Sequence, residues 1–374
     1  MIKMLRPTLV LLALLAVAVA PAAQDPVPPV VSPAPPPEPA PPTPSEPALA
    51  VPVIIEPPHN GVAPKEPIEE LWRDPGDVKA RNLFYGSGGK AHEPRGTYTF
   101  IEEDMDGTNP KFVAKDQDGV KWKVKMGTEA QPETAAARIL WAAGYFTGED
   151  YFVPQIHVDQ LPAKLKRGQE FVAPGGMVRG VRLKRYLPGE KKLGLWKWTD
   201  NPFLGTRQMN GLRVMMAVMN NWDLKDINNA VYAVKGKASE GGELPKKIYM
   251  VSDLGATFGS TGLGVNHAID KGNLDSYKNS KFIDGSTPQD VSFNVPTRPA
   301  LIVAFNPKEF GSRLPMRAIG QHIPIADVHW IAQILHQLSV EQLRDAFRAA
   351  GYNKDLVDGF ANIVERRIAQ LEQF

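Results

Sequence analysis

Cysteine is absent from all 374 residues. Disulfides, thiolate metal sites, a cysteine nucleophile and lipid attachment at an N-terminal cysteine are therefore excluded. Net charge is nearly absent too, at +2, so composition gives no basis for nucleic-acid binding. No HExxH or GxSxG pattern occurs, which removes the usual signatures of a zinc protease and an α/β-hydrolase. Long hydrophobic runs are also lacking. The longest near the start, residues 9–20, falls short of the ~20 residues that a membrane-spanning helix needs.

That short run has Lys3 and Arg6 before it and Ala20-Pro21-Ala22-Ala23 behind it. A basic start, an apolar middle and small residues at the end make a signal peptide over residues 1–23. The expectation is an exported protein, periplasmic or extracellular, with no transmembrane span after cleavage. Proline supplies 15 of the 33 residues from 26 to 58, too many for a core. Residues 24–66 are read as a disordered linker that favours extended polyproline II and acts as a spacer.

Order is expected from about Ile68. Residues 97–101, 111–115 and 120–126 read as three antiparallel strands joined by Asp-Gly turns. The acidic turn around Asp104 and Asp106 lacks the glycine placement of a calcium-binding EF-hand loop and is read as a turn. In the third strand Val120, Trp122, Val124 and Met126 face one way, and Lys121, Lys123 and Lys125 the other. A helix over 131–145 comes next, with Glu133 on the same stripe as Ala136, Ala137 and Leu140. An inward carboxylate is costly unless paired, and Lys125 is its natural partner. Residues 86–90, Gly-Ser-Gly-Gly-Lys, lack P-loop spacing, and Ser87 with Lys90 lacks the companion motifs of a penicillin-recognising enzyme. They read as a flexible glycine loop.

Further strands are expected at 151–158 and 176–186. After Leu187-Pro188-Gly189 the composition turns helical, which sets a lobe boundary: residues 67–187 on one side, 188–374 on the other. The fold class is α+β, an antiparallel-sheet N-lobe followed by a mainly helical C-lobe. Methionines 215, 216 and 219 in a helix over 207–221 are read as core. Strands at 230–234 and 247–251 and helices at 328–338, 340–350 and 354–373 complete the pattern, with 266–299 polar and irregular. His329 and His336 lack a third partner for zinc.

Two stretches carry chemistry: Asp223-Leu-Lys225-Asp-Ile-Asn228, and Asp253-Leu-Gly255 at the end of an apolar strand. Phosphoryl transfer needs a carboxylate to orient the acceptor and ligands for the cations on the phosphates. Asp223 suits the first task, Asn228 and Asp253 the second.

Lys125 in Val-Lys-Met, helical Glu133, Asp223-Leu-Lys-x-x-Asn228 and Asp253-Leu-Gly, in this order behind a three-stranded start, resemble the protein-kinase-like superfamily. The likeness spans roughly residues 82–374. It is closer to the atypical branches, such as type II phosphatidylinositol 4-kinases, HipA-type kinases and secreted kinases. The chain also looks like a group of secreted bacterial proteins. The resemblance implies a two-lobed kinase-like fold binding ATP, or another nucleotide, with magnesium or manganese. Lys125 would hold the α- and β-phosphates, and Glu133 would hold Lys125. Asp223 would orient the acceptor and Lys225 neutralise transferring charge, while Asn228 and Asp253 would bind the metal. The pattern departs from the family in three places. Asp106-Gly107-Thr108-Asn109-Pro110 replaces the glycine-rich phosphate loop, Trp222 stands where many kinases carry arginine, and no Ala-Pro-Glu follows. The resemblance admits two functions: an exported phosphotransferase acting on a protein, lipid or glycan hydroxyl, or an inactive kinase-like binding module serving an envelope partner from a proline-rich stalk.

Overall fold

Residues 68–234, 246–261, 271–296, 307, 311 and 313–374 are described by the computed structural model. The chain divides into two units, 1–60 and 61–374, and the described residues all belong to the second. The expected signal peptide and proline-rich linker lie outside the described residues, as do residues 235–245. The fold is α+β, as the sequence implies.

A short strand β1 (Ile68–Glu70) precedes the meander β2 (Thr97–Glu103), β3 (Lys111–Lys115) and β4 (Lys121–Met126). Alternation in β4 acts as expected. Trp122, Val124 and Met126 are buried while Lys121 is exposed. Helix α1 (Ala130–Ala142) and strands β5 (Asp150–Asp159), β6 (Val172–Ala173) and β7 (Met177–Arg185) come after it. Pairing then closes the sheet on itself. β2–β3, β3–β4, β4–β7 and β7–β5 are antiparallel, and β5 returns to β2 in parallel. β6 extends β7 at Val172↔Val178. Inside the ring Tyr98, Phe112, Trp122, Val124, Met126, Ile156, Val181 and Leu183 form one core. A closed ring leaves its five strands no free edge where they pair.

The second sheet runs β1–β10–β9–β8, with β8 (Lys191–Gly194), β9 (Asn229–Val234) and β10 (Lys246–Val251). Helix α2 (Arg207–Val218) starts on Thr206, whose hydroxyl accepts from the Met209 N–H. Its Met215 and Met216 and the following Met219 are fully buried, so they are core, as read from their spacing. Next come α3 (Leu274–Asn279), the hairpin β11 (Ile283–Ser286) and β12 (Asp290–Phe293), and β13 (Ile323–Pro324). Helices α4 (Ile325–Leu335), α5 (Val340–Ala349) and α6 (Lys354–Gln370) close the fold. No described helix is long and apolar enough to cross a membrane.

The larger core joins α1, α2, the C-terminal helices and residues 71–83. The two cores therefore do not divide at one point of the sequence. The last barrel-core residue, Leu183, precedes the boundary expected at 187–189, but α1 packs with the second core.

Two expectations are corrected. Residues 86–92 form two 3-10 turns, not a flexible loop. The glycines there permit close approach: a Cβ on Gly88 would stand 2.2 Å from the Tyr151 hydroxyl, and one on Gly86 2.9 Å from Arg138 Nη1. The stretch 266–299 is not irregular throughout. Tyr277, Phe282, Val291 and Phe293 anchor α3 and the hairpin in the core, but these apolar residues are spaced too irregularly for either period to stand out. His329 and His336 are also explained: they meet the Phe374 carbonyl at 3.0 Å and Glu372 at 3.2 Å.

Candidate functional site

Register builds the site. Lys125 in β4 pairs with Arg182 in β7, so both project from the outer face of the barrel toward α1. The Lys125 ammonium donates to Glu133 Oε2 at 2.9 Å, and Arg182 Nη2 stands 3.3 Å from Glu133 Oε1. Arg182 also reaches Asp150 Oδ1 at 2.5 Å through Nη1. Lys125 is 4% exposed and Glu133 2%, so neither ion has water to fall back on. The pairing of Lys125 with Glu133 read from the sequence is present in the structure.

Two further carboxylates converge on the same ammonium. Glu129 Oε2 lies 2.5 Å from Lys125 Nζ, and Asp253 Oδ1 3.2 Å. Asp253 is reached from another part of the chain. Two residues past the end of helix α2, Asn220 turns the backbone with a positive φ of 50°, a conformation asparagine tolerates well. Trp222 N–H then bonds Ala256 O at 3.1 Å, tying the loop 222–228 to the segment after Asp253. In the β9–β10 ladder Asn229 pairs with Val251. One step beyond that pair, the Asn228 carbonyl accepts from the N–H groups of Ser252 at 2.8 Å and Asp253 at 3.2 Å. The ladder thus holds Asn228 beside Asp253.

Within the loop, Asn228 Nδ2 donates to Asp223 O at 2.6 Å, which leaves the amide oxygen as the acceptor. Asp223 Oδ1 meets Arg313 Nη1 at 3.1 Å and Lys225 Nζ at 3.4 Å. Arg313 further donates to Trp222 O at 3.0 Å and lies over the Trp222 ring at 5.2 Å. An arginine distant in sequence therefore reaches the place beside Asp223 and Trp222.

Electrostatics are set by burial and crowding. Burial alone would raise the Asp253 carboxyl, but Lys125 and the Gly255 N–H lower it to about 2. For Lys125 burial works against the charge, and Glu133, Asp253 and Glu129 outweigh it and hold the ammonium well above its ordinary value. Burial pushes Glu133 up, against the pull of Arg182 and Lys125. Lys125 is thus fixed as a cation and Asp253 as an anion across the neutral range.

Oxygen atoms of Glu129, Glu133 and Asp253 lie within 4.8 Å of one another. Such a hard oxygen set fits magnesium or manganese, although the Lys125 ammonium stands among the three. Of the residues singled out in the sequence, Lys125, Glu133 and Asp253 are in direct contact. Asp223, Lys225 and Asn228 share the loop that backbone bonds attach to Asp253. Glu129, Arg182, Asp150 and Arg313 were missed as site residues. Glu129 had a signal, since it lies four positions before Glu133 and so shares its helical face. Arg313 had none. A cavity of about 540 Å³ lies elsewhere, lined by residues such as His157, Leu161, Gln169 and Pro174.

No protein-family model matches the chain, and no curated protein does. Solved structures similar to it include a Helicobacter pylori proinflammatory kinase, CtkA. That likeness has 10% identity and a TM-score of 0.39, over 74% of this chain and 95% of that one. The Golgi casein kinase matches at 10% identity and a TM-score of 0.29, over 75% and 74%. Its structure with Mn/ADP bound gives 10% and 0.28, over 74% and 75%.

Proposed function

We propose that the chain is a kinase-like phosphotransferase that moves a phosphoryl group from a metal-bound nucleotide to a hydroxyl acceptor. One observation carries this reading. A buried lysine held by a helical glutamate also touches the Asp253 carboxylate, 128 residues away, and the Asn228 carbonyl accepts the backbone N–H of Asp253, attaching that residue to the Asp223 loop. This arrangement brings a fixed cation, hard-metal ligands and a candidate acceptor-orienting carboxylate to one place, as phosphoryl transfer requires.

The fit to a nucleotide and its cation is one of donor chemistry. Asp253 and the amide oxygen of Asn228 would hold magnesium or manganese, and Lys125 would hold phosphate oxygens, with Glu133 and Arg182 fixing its place. The cation supplies charge neutralisation at the phosphates. Asp223 orients the acceptor hydroxyl and accepts its proton, and Lys225 beside it offsets charge on the group in transfer. The acceptor is a protein, lipid or glycan hydroxyl outside the cytoplasm. That part of the proposal is supported by the leader-like and proline-rich sequence alone.

A second reading, a binding module without transfer, has its own observation: Asp223 Oδ1 is engaged by Arg313 and Lys225. Metal-nucleotide at ~100 times its Kd should stabilise the fold by about 2.7 kcal/mol. Asp253→Ala should abolish that shift, while Asp223→Ala should keep it and lose transfer. Binding without transfer by the parent, across a broad acceptor panel, favours the module. No thermal shift with ATP, GTP or ADP and either metal removes the phosphotransferase reading.

A further inference from the structure

Three side-chain donors converge on the buried Glu129 carboxylate. Its Oε2 receives Lys125 Nζ at 2.5 Å and Asn109 Nδ2 at 2.6 Å, and its Oε1 pairs with Lys271 Nζ. These donors come from three separate places: strand β4, the turn between β2 and β3, and the segment beyond Asp253. Residue 129 is 5% exposed, so two ammonium groups and an amide surround a nearly dry anion. Gly255 makes the room. A Cβ there would stand 2.6 Å from Glu129 Oε2 and 2.7 Å from its Cδ.

Lys125 does not depend on Glu129 for its place, because Glu133 and Asp253 also hold it. Nor does α1 depend on the Glu129 side chain, which precedes the first helical residue and makes no capping bond. The turn carrying Asn109 replaces a glycine-rich phosphate loop in the sequence. Here it is attached to the Glu129 carboxylate instead.

We propose that Asn109, Lys125 and Lys271 form a seat for a phosphate group of the nucleotide, and that the Glu129 carboxylate occupies this seat in the free protein. A phosphate carries the same sign of charge and more acceptor oxygens, and accepts the same N–H donors. On binding it displaces Glu129, and the turn with Asn109 and the segment with Lys271 exchange one anion for the other. This inference rests on the phosphotransferase reading, to which it adds Asn109 and Lys271 as phosphate-binding residues and Glu129 as an internal competitor.

Calorimetric titration with tripolyphosphate in the absence of metal, and separately with magnesium-ATP, tests it. Each lost charge-assisted hydrogen bond should cost about tenfold in Kd. Lys271→Met and Asn109→Ala should therefore each weaken tripolyphosphate binding about tenfold. Glu129→Gln should tighten it by about as much, since the competitor loses its charge. In the Glu129→Gln, Lys271→Met double variant that gain should vanish. Acetylation of Lys271 in the parent, read by mass spectrometry, should slow when tripolyphosphate is added, which tests the seat without any substitution.

Unchanged affinity in Glu129→Gln, with magnesium-ATP still bound by the parent, overturns the proposal and leaves the phosphotransferase reading standing. Weaker magnesium-ATP binding in Glu129→Gln, with tripolyphosphate unaffected, makes the carboxylate a cation ligand and also overturns it. If parent and variant bind neither ligand, the phosphotransferase reading falls as well.

Discussion

At Lys125 one ammonium faces Glu129, Glu133 and Asp253, and Arg182 backs Glu133 from the other side. Removing a single partner therefore leaves the lysine paired, so Asp253→Asn should fold. It should also reveal a defined pH window. The Asp253 carboxyl has an ordinary value of 3.8 and lies at about 2 in the folded chain. Below pH 3.8 the unfolded chain takes up this proton before the folded chain does, so acid favours unfolding. The parent's unfolding free energy, relative to Asp253→Asn, should be constant above pH ~4 and fall as pH drops toward ~2. Chemical denaturation of both proteins from pH 2 to 6 would measure it. A difference that grows as the pH falls would contradict the geometry.

Elements with strong periodicity or punctuation were legible in the sequence. Strand β3 has the expected bounds, and β4, β9, β10 and the last three helices differ from expectation only at their ends. Asn353 caps α6, and Ser339 with Gln342 forms a capping box on α5. Strands β1 and β8 were not read, because three or four residues rich in Glu or Lys carry no alternation. Their identity comes from partners far away: Ile68 pairs with Lys246 and Lys192 with Tyr232. The site was legible where a motif named its residues. Asn109, Lys271 and Arg313 entered it only through folding. Helix packing adds a test at this scale. Gly211 lies within α2, where alanine would normally gain about 1 kcal/mol. Here a Cβ would stand 2.5 Å from the Tyr145 hydroxyl and 2.6 Å from Trp330 Cζ3. Overpacking costs about 1–3 kcal/mol and should win, so Gly211→Ala should lower the urea midpoint. A raised midpoint would mean that α2 and α4 have slack between them.

For the whole molecule, the proline-rich composition predicts that residues 1–66 add little to the stability of the folded domain. A chain beginning at Pro67 should melt within a few degrees of the full-length protein. One beginning at Leu71 should melt lower, since it loses β1 together with the pairs Glu69–Lys247 and Glu70–Lys246. Thermal scans of the three proteins would decide. Equal melting of the two shortened chains would make β1 dispensable.

The closed ring also governs the sequence of events by which the chain can fold. β2 is the first barrel strand to leave the ribosome, yet one of its partners is β5, with Thr97 opposite His157 and Thr99 opposite Asp159. β4 likewise waits for β7. β1 waits longest, since Glu70 pairs with Ile248. Each early strand is committed to a neighbour made later, so closure demands long loops and high contact order, both of which slow folding. During synthesis β2 would present an unpaired edge until residue 159 emerges, and β1 until residue 248. The protein that ends with its barrel edges covered begins as a chain that must wait for them, and in that interval the unpaired edges are open to aggregation.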